Sequence, residues 1–358
     1  MMTAPWRVID TGLRPAAENI ALNRALLDAR QAGECPSTLR FLQFMPSALL
    51  GFHQSAEQEL DLEYCRAHGV TVQRRITGGG AIYFDETQIG WELYLHKRDL
   101  GTADMTAIAR RICEAAARGI SVLGVNARYR PRNDIEVDGK KISGTGGVFE
   151  GDALMYQGTL LVEFDVEKML RVLRIPAEKL SGKAIASARE RVANLADLLG
   201  FVPPLEQVKA ALSEALGTEF GVHFAEGGLL PQEQVRFRNA LAEIDAPQWL
   251  DQVARPVADM PIVEAVRKFP GGMLRVSLAY DATRRRIAQA WFSGDFFISP
   301  RRTVADLEAA LRNTPVDQAE KNVRAFFSAH AVDMLLLAPD DFVVLIKEAL
   351  TGAAYPLS

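Results

Sequence analysis

Two arginines followed by three glycines, Arg74-Arg75-Ile76-Thr77-Gly78-Gly79-Gly80-Ala81, are the residues of this chain best suited to gripping an oxyanion. Consecutive glycines leave backbone N–H groups open to close approach by a phosphate or carboxylate. The guanidinium groups add charge and bidentate geometry for the same target. A glycine-rich hairpin turn is the plainer reading of the same residues. A second group follows at Asn133-Asp134-Ile135-Glu136-Val137-Asp138-Gly139-Lys140-Lys141-Ile142-Ser143-Gly144. Asp138-Gly139 favours a two-residue type I′ turn, so Lys140–Ser143 should pair back on Asp134–Val137. Lys140 and Lys141 then face opposite sides of the strand, and only one of them can serve a pocket. Gly144-Thr145-Gly146-Gly147 reads either as a mobile loop or as a tight turn.

Other chemistries are poorly served. Neither glycine cluster fits GxGxxG at the start of a helix, and no GxxxxGK(S/T) is present, so a Rossmann site and a P-loop are both disfavoured. Cys35, Cys65 and Cys113 are far apart without a CxxC pair, which fits a reducing cytoplasm better than a disulfide framework or zinc site. The five histidines lack metal-ligand spacing. A net charge of −4 argues against a general nucleic-acid or anionic-membrane binder. No apolar run suits a signal peptide or approaches the roughly 18 residues of a membrane span. A soluble, cytoplasmic protein is expected.

The elements that must position these groups can be read in outline. A helix is expected over Pro15–Gln31, with Leu22, Leu26 and Ala29 at helical spacing. Leu39–Phe44 and Ala48–His53 read as two strands paired with each other across Met45-Pro46-Ser47. A short helix at Leu60–His68 precedes a strand, Val70–Arg75, that delivers the arginines to the glycines. Strands at Ala81–Phe84 and Ile89–His96 lead to a helix at Thr106–Gly119, and the Asp138-Gly139 hairpin to a long strand, Ala153–Phe164. Helices are expected at Val166–Leu173, Ser187–Leu199, Pro204–Leu216 and Gln232–Ile244. Beyond Pro247, alternating strands at Met273–Asp281 and Arg284–Phe297 precede helices at Val304–Arg312, Gln318–His330 and Asp341–Leu350. At 358 residues the length suits a large domain plus a smaller one, here 1–248 and 259–358.

Four segments together resemble the lipoate–protein ligase A family. Arg74–Ala81 is similar to its RRxSGGGA signature, Lys141-Ile142-Ser143-Gly144 to KISG, and Gln157-Gly158-Thr159-Leu160-Leu161 to HGTLL. Lys179-Leu180, Lys183 and Ser187–Leu195 are similar to KL…K…SVRSRVTNL. The resemblance covers about 70–200, and the C-terminal segment matches the family's accessory domain. It implies an α+β fold in which a mixed or antiparallel sheet is flanked by helices, with a smaller α+β C-terminal domain. The implied reaction uses ATP and Mg²⁺ to convert lipoate to lipoyl-AMP. The acyl group then passes to a lysine of a lipoyl-domain acceptor. That acceptor would be a 2-oxoacid dehydrogenase subunit, a glycine-cleavage carrier or a specialised lipoate-binding protein.

The resemblance selects Lys141 as the catalytic cation, bridging carboxyl oxygen and α-phosphate. It places Arg75, Thr77, Gly78, Gly79, Gly80, Ala81, Asn133, Asp134, Ser143, Gly144, Gln157, Gly158 and Thr159 around lipoate and adenylate. Arg74 could join Arg75 at the pocket edge, and Arg75 could instead pair with Asp85. Asp134 could contact Mg²⁺ or cap a strand. Phe84 and Gln157 stand where the family often has histidine, and Trp91-Glu92 occupy a strand often polar in relatives. Two alternatives remain. An octanoyl- or lipoyl-transferase needs a thiolate, yet the position its lysine motif indicates is near Asn126. A non-catalytic lipoyl-domain binder would have no need of Lys141.

Overall fold

The computed structural model describes residues 6–131, 133–174, 189–253, 256 and 258–354. The chain divides into two units. The first holds Met1–Leu49, Leu60–Ile76 and Ile82–Leu250; the second holds Leu50–Glu59, Thr77–Ala81 and Asp251–Ser358. The expected α+β architecture is present in both.

In the first unit the strands are β1 (Trp6–Arg14), β2 (Thr38–Phe44), β3 (Ser47–Leu50), β4 (Thr71–Arg74), β5 (Ile82–Phe84), β6 (Gln88–His96), β7 (Ala127–Arg130), β8 (Asp134–Val137), β9 (Lys140–Glu150), β10 (Ala153–Leu161) and β11 (Phe224–Glu226). Eight form one mixed sheet in the order β11-β1-β2-β6-β10-β9-β8-β7, and β4-β3-β5 form a small one. β2 and β3 therefore do not pair with each other, contrary to the sequence reading. The turn at Met45-Pro46-Ser47 passes the chain from one sheet to the next, and β2 instead lies between β1 and β6. β1, unmarked by strong alternation, and β11 were not expected as strands.

Helix α1 (Ala16–Gln31) packs over β6 and β10 and against a helix at Pro231–Ile244. The opposite face is sealed by α2 (Met105–Val122) and α3 (Leu205–Phe220), whose Ile108, Ile112, Leu212 and Leu216 meet Phe41, Trp91, Leu93 and Tyr156. Each such side chain contributes about 1.5–3 kcal/mol on full burial. Asp104 caps α2 by accepting hydrogen bonds from the Thr106 and Ala107 N–H groups.

The Asp138-Gly139 hairpin forms as expected: φ is 50° and 78° at the two positions, the left-handed pair that a type I′ turn requires. Two expectations fail nearby. Gly144–Gly147 is neither mobile loop nor tight turn but the middle of β9, paired with β10 from Thr145 to Glu150. The helix expected over Ser187–Leu199 is realised within the described residues chiefly as Leu195–Leu199. Val192 forms a parallel bridge to Lys141 instead. Lys179, Leu180, Lys183 and Ser187 lie outside the described residues.

The second unit contains a four-stranded sheet, β12 (Ile262–Phe269), β13 (Gly272–Asp281), β14 (Arg286–Gly294) and β16 (Thr314–Pro315), and a small pair, β15 (Ile298–Ser299) with β17 (Asp333–Met334). Helices α4 (Thr303–Leu311), α5 (Ala319–Ala329) and α6 (Pro339–Ala354) cover it, through Leu307, Val323, Phe342 and Ile346 against Leu274, Leu278 and Phe292.

Candidate active site

On the face of the large sheet that carries α1, the outer strands present a strip of small and polar residues. Register places Arg130 opposite Asp134 and Asp134 opposite Gly144. Gly144 in turn lies beside Thr159, whose hydroxyl is 3.4 Å from the Gly144 N–H. In the next row Gly146 faces Gln157, which faces Glu92. Gly144, Gly146, Gln157 and Thr159 are all partly exposed, so this is an open floor and not core.

Lys141 lies across that floor. A register shift between Ile135 and Glu136 pairs Ile135 with Ser143 but Glu136 with Lys141. The bulge at Ile142 re-aims the lysine relative to an unbroken strand. Its backbone is pinned on the other side, where the Lys141 N–H donates to the Arg191 carbonyl (2.8 Å) and its carbonyl accepts from Ala193 (2.9 Å). The side chain crosses Gly144 so closely that a Cβ there would sit 2.7 Å from Nζ and 2.9 Å from Cε. Nζ ends 2.8 Å from Asp134 Oδ1. Lys140 is exposed on the other side of the strand, as alternation requires.

Asp134 holds a second cation: Arg130 Nη2 lies 2.6 Å from Oδ2, and Arg130 Nη1 lies 3.2 Å from Glu136. Burial raises the Asp134 pKa, but Lys141 and Arg130 outweigh it and bring the carboxyl below its ordinary value. The Lys141 and Arg130 side chains are 38% and 39% exposed. Ion pairs this wet are worth about 0–1 kcal/mol and open cheaply.

Asn133 is locked in place beside this group. Its side-chain amide donates to the Thr145 carbonyl (2.5 Å), while the Thr145 N–H and hydroxyl both donate to its own carbonyl (2.8 and 2.9 Å). The Thr145 hydroxyl also meets Tyr156 Oη at 2.7 Å and Cys113 Sγ at 3.3 Å. Ser143 is buried on the core side, and its Oγ has no hydrogen-bond partner among the described residues. Gly158 accommodates the Trp91 indole, which any Cβ there would strike. Ser143 and Gly158 therefore belong to the core face, not the floor.

The two arginines before the glycines are buried. Arg74 donates to the carbonyls of Trp249 (3.2 Å) and Leu250 (2.6 Å), and Arg75 donates to that of Leu49 (2.7 Å). Burial lowers the Arg75 guanidinium to about 10. The Asp85 carboxylate is taken by Tyr83, Thr87 and Lys168, so the Arg75–Asp85 bridge is not formed.

Within the second unit, Thr77–Ala81 lies against Asp295–Phe297. The Gly79 N–H donates to the Phe296 carbonyl at 3.1 Å, and the Thr77 carbonyl accepts from Phe52 at 2.8 Å. Gly79 has φ 91°, and a Cβ there would lie 2.8 Å from the Phe297 ring. A Cβ at Gly78 would collide with the Phe296 carbonyl. Close packing is thus one reason for glycine at both positions.

Cys35, Cys65 and Cys113 are all buried and free. Burial raises all three thiols, Cys35 to about 12, and the hydrogen bonds from Thr145 and Tyr156 offset only part of this at Cys113. Among the described residues no group of three His, Cys, Asp or Glu could hold a metal ion. No helix among them is long and apolar enough to cross a membrane.

Residues 15–217 match the family described as the lipoyl protein ligase A/B catalytic domain. The chain belongs to that family. Relatives include the lipoate–protein ligase A subunit 1 of Thermoplasma acidophilum, 30% identical over 60% of the chain and 84% of the relative. Lipoate–protein ligase 1 of Staphylococcus aureus is 30% identical over 82% and 85%. The octanoyltransferase LipM of Kyrpidia tusciae is 28% identical over 68% and 97%. Among solved structures, the bi-partite lipoate protein ligase of T. acidophilum, described with its E2 lipoyl domain, superposes with a TM-score of 0.62 at 27% identity, covering 72% of this chain and 100% of that one. A lipoate–protein ligase A bound with ATP gives 0.61 at 26%, over 70% and 100%. The fold extends further: P. falciparum LipL1 matches with a TM-score of 0.74 at 16% identity over 97% of this chain and 99% of its own.

The family thus contains both ligases and octanoyltransferases, enzymes of protein lipoylation. The structure brings Lys141, Asp134 and Gly144 of the sequence reading together and sets beside them Arg130, which that reading did not single out. The sequence reading also missed the backbone partners Arg191 and Ala193, whose signal lies only in tertiary pairing.

Proposed function

We propose that this protein is an ATP-dependent lipoate–protein ligase. The observation that carries the reading is Lys141, a part-exposed ammonium laid across a glycine-cleared polar floor, in a chain whose three thiols are all buried. In this reading lipoate's carboxylate oxygen attacks the α-phosphorus of ATP, and pyrophosphate leaves. The acceptor lysine's amine then attacks the acyl carbon, releasing AMP and a proton. Lys141 exchanges its Asp134 partner for the oxygens on which charge accumulates. Thr159 and Gln157 orient the acyl-phosphate junction from the same floor. Arg75, Thr77, Gly78, Gly79, Gly80 and Ala81 contribute the glycine loop's share of the acyl and adenylate contacts. Because Gly79 already donates to Phe296, that share requires an exchange of hydrogen bonds.

Asp134 would be the one carboxylate of this group to hold Mg²⁺ beside the nucleotide. When bound, the ion would supply further neutralisation of phosphate charge. Likeness to an ATP-bound ligase and to a ligase described with its E2 lipoyl domain supports this choice of substrate and of a lipoyl-domain acceptor.

Likeness to LipM favours a second reading, acyl transfer through a cysteine thioester. It needs a thiolate that substrate can reach, and buried thiols with raised pKa values do not provide one. To decide, the protein is mixed with lipoate, Mg²⁺ and a panel of lipoyl domains, with and without ATP, and the acceptors are weighed by mass spectrometry. Lipoylation dependent on ATP is expected. Transfer from an octanoyl carrier protein without ATP, with an acyl adduct on a cysteine, would overturn the proposal.

A further inference from the structure

We propose that Arg130 is a second phosphate-binding residue, holding the pyrophosphate that leaves during adenylation. The inference rests on the ligase reading and names a contact that reading does not contain. Lys141 and Arg130 bracket one carboxylate, each on a different Asp134 oxygen, at 2.8 and 2.6 Å. The two cationic groups are therefore separated by one carboxylate and two hydrogen bonds, a spacing suited to neighbouring phosphates of a polyphosphate chain.

Their places on the sheet fix the order. Lys141 crosses Gly144, next to Thr159 and inward of the edge, whereas Arg130 stands on β7, the terminal strand of the sheet. An acyl chain and α-phosphate on the glycine-cleared floor would leave the β- and γ-phosphates extending toward that edge. The leaving group must depart into water, and Arg130 is part-exposed there. Its planar fork already spans two carboxylates, Asp134 and Glu136, and can span two phosphate oxygens in the same way. At rest the two cations and two carboxylates balance. An arriving nucleotide takes over the cations, and the carboxylates are left to water.

The test is ATP–pyrophosphate exchange in the presence of lipoate, beside transfer from synthetic lipoyl-AMP to a lipoyl domain. Arg130→Ala should raise the KM for ATP tenfold or more and weaken inhibition by added pyrophosphate. Lipoate affinity and transfer from synthetic lipoyl-AMP should stay unchanged, because no pyrophosphate is present in that step. Arg130→Lys should recover part of the loss, keeping charge without the fork. An unchanged KM for ATP in Arg130→Ala would overturn the proposal. So would an equal slowing of exchange and transfer, which would mark a purely structural role through Asp134. Absence of exchange in the wild-type protein would remove the ligase reading itself and this inference with it.

Discussion

Two clusters on the large sheet pair a carboxylate and a guanidinium from neighbouring strands, and they are built to opposite ends. Arg40 and Glu92 face each other on β2 and β6, 3.0 Å apart, with side chains 0% and 4% exposed. Every neighbour there is committed. Arg40 donates to Thr11 and Asn19, and Glu92 accepts from Asn23 and Tyr94. On β7–β9, Asp134 holds Arg130 and Lys141 with side chains more than a third exposed. A buried charge pair must be satisfied completely, and breaking it is costly. A wet pair costs little to open. The first cluster fixes the sheet that the second uses as a floor, and the second keeps its cations available.

The largest effect should come from breaking the sealed cluster. Glu92→Ala leaves Arg40 buried without its carboxylate and should cost about 3–5 kcal/mol of unfolding free energy, read by urea denaturation. A loss below about 1 kcal/mol would show that the cluster is not structural. Lys141→Ala should do the reverse, lowering lipoyl-AMP formation about 10²–10³-fold, the size expected for losing one transition-state donor. Its melting temperature should stay near that of the wild type. Normal lipoyl-AMP synthesis by this variant would refute the role given to the lysine. Gly144→Ala sharpens the contrast further. The new methyl group would clash with the flexible end of Lys141 and otherwise meet Asp134 Oδ1 at an ordinary 3.9 Å, so the fold should persist while the ammonium is pushed off Asp134. A drop in adenylation of about tenfold, close to 1.4 kcal/mol by transition-state arithmetic, is expected in a stopped-flow or discharge assay. A variant that instead unfolds would show Gly144 to be a packing residue.

The open cluster was largely legible in the sequence and the sealed one was not, for a physical reason. Asp138-Gly139 dictates a turn through left-handed φ values that few other residues adopt, so the pairing around it and the opposite facing of Lys140 and Lys141 followed locally, while the family resemblance chose between the two lysines. Arg40 and Glu92 sit within strands, where a charge normally marks the solvent side; only the partners brought by α1 and β6 reverse that. Gly144–Gly147 looked like a turn because glycine disfavours strands in isolation, and pairing with β10 overrides the preference. The Ser187–Leu199 stretch has helical composition, yet the Arg191 carbonyl and Ala193 amide are drawn out to meet Lys141. Arg130 went unnoticed because a basic residue before Asn133-Asp134 has no local signature, and its role depends on the β7–β8 register.

That pairing with Arg191 and Ala193 carries an evolutionary consequence. The lysine's peptide group is clamped on both its donor and its acceptor side, so its orientation depends on a segment some fifty positions downstream in the chain. What selection must preserve there is an amide hydrogen at Ala193 and a carbonyl at Arg191. The Arg191 side chain itself is free to drift, while proline at Ala193 would silence the enzyme without touching any group that meets substrate.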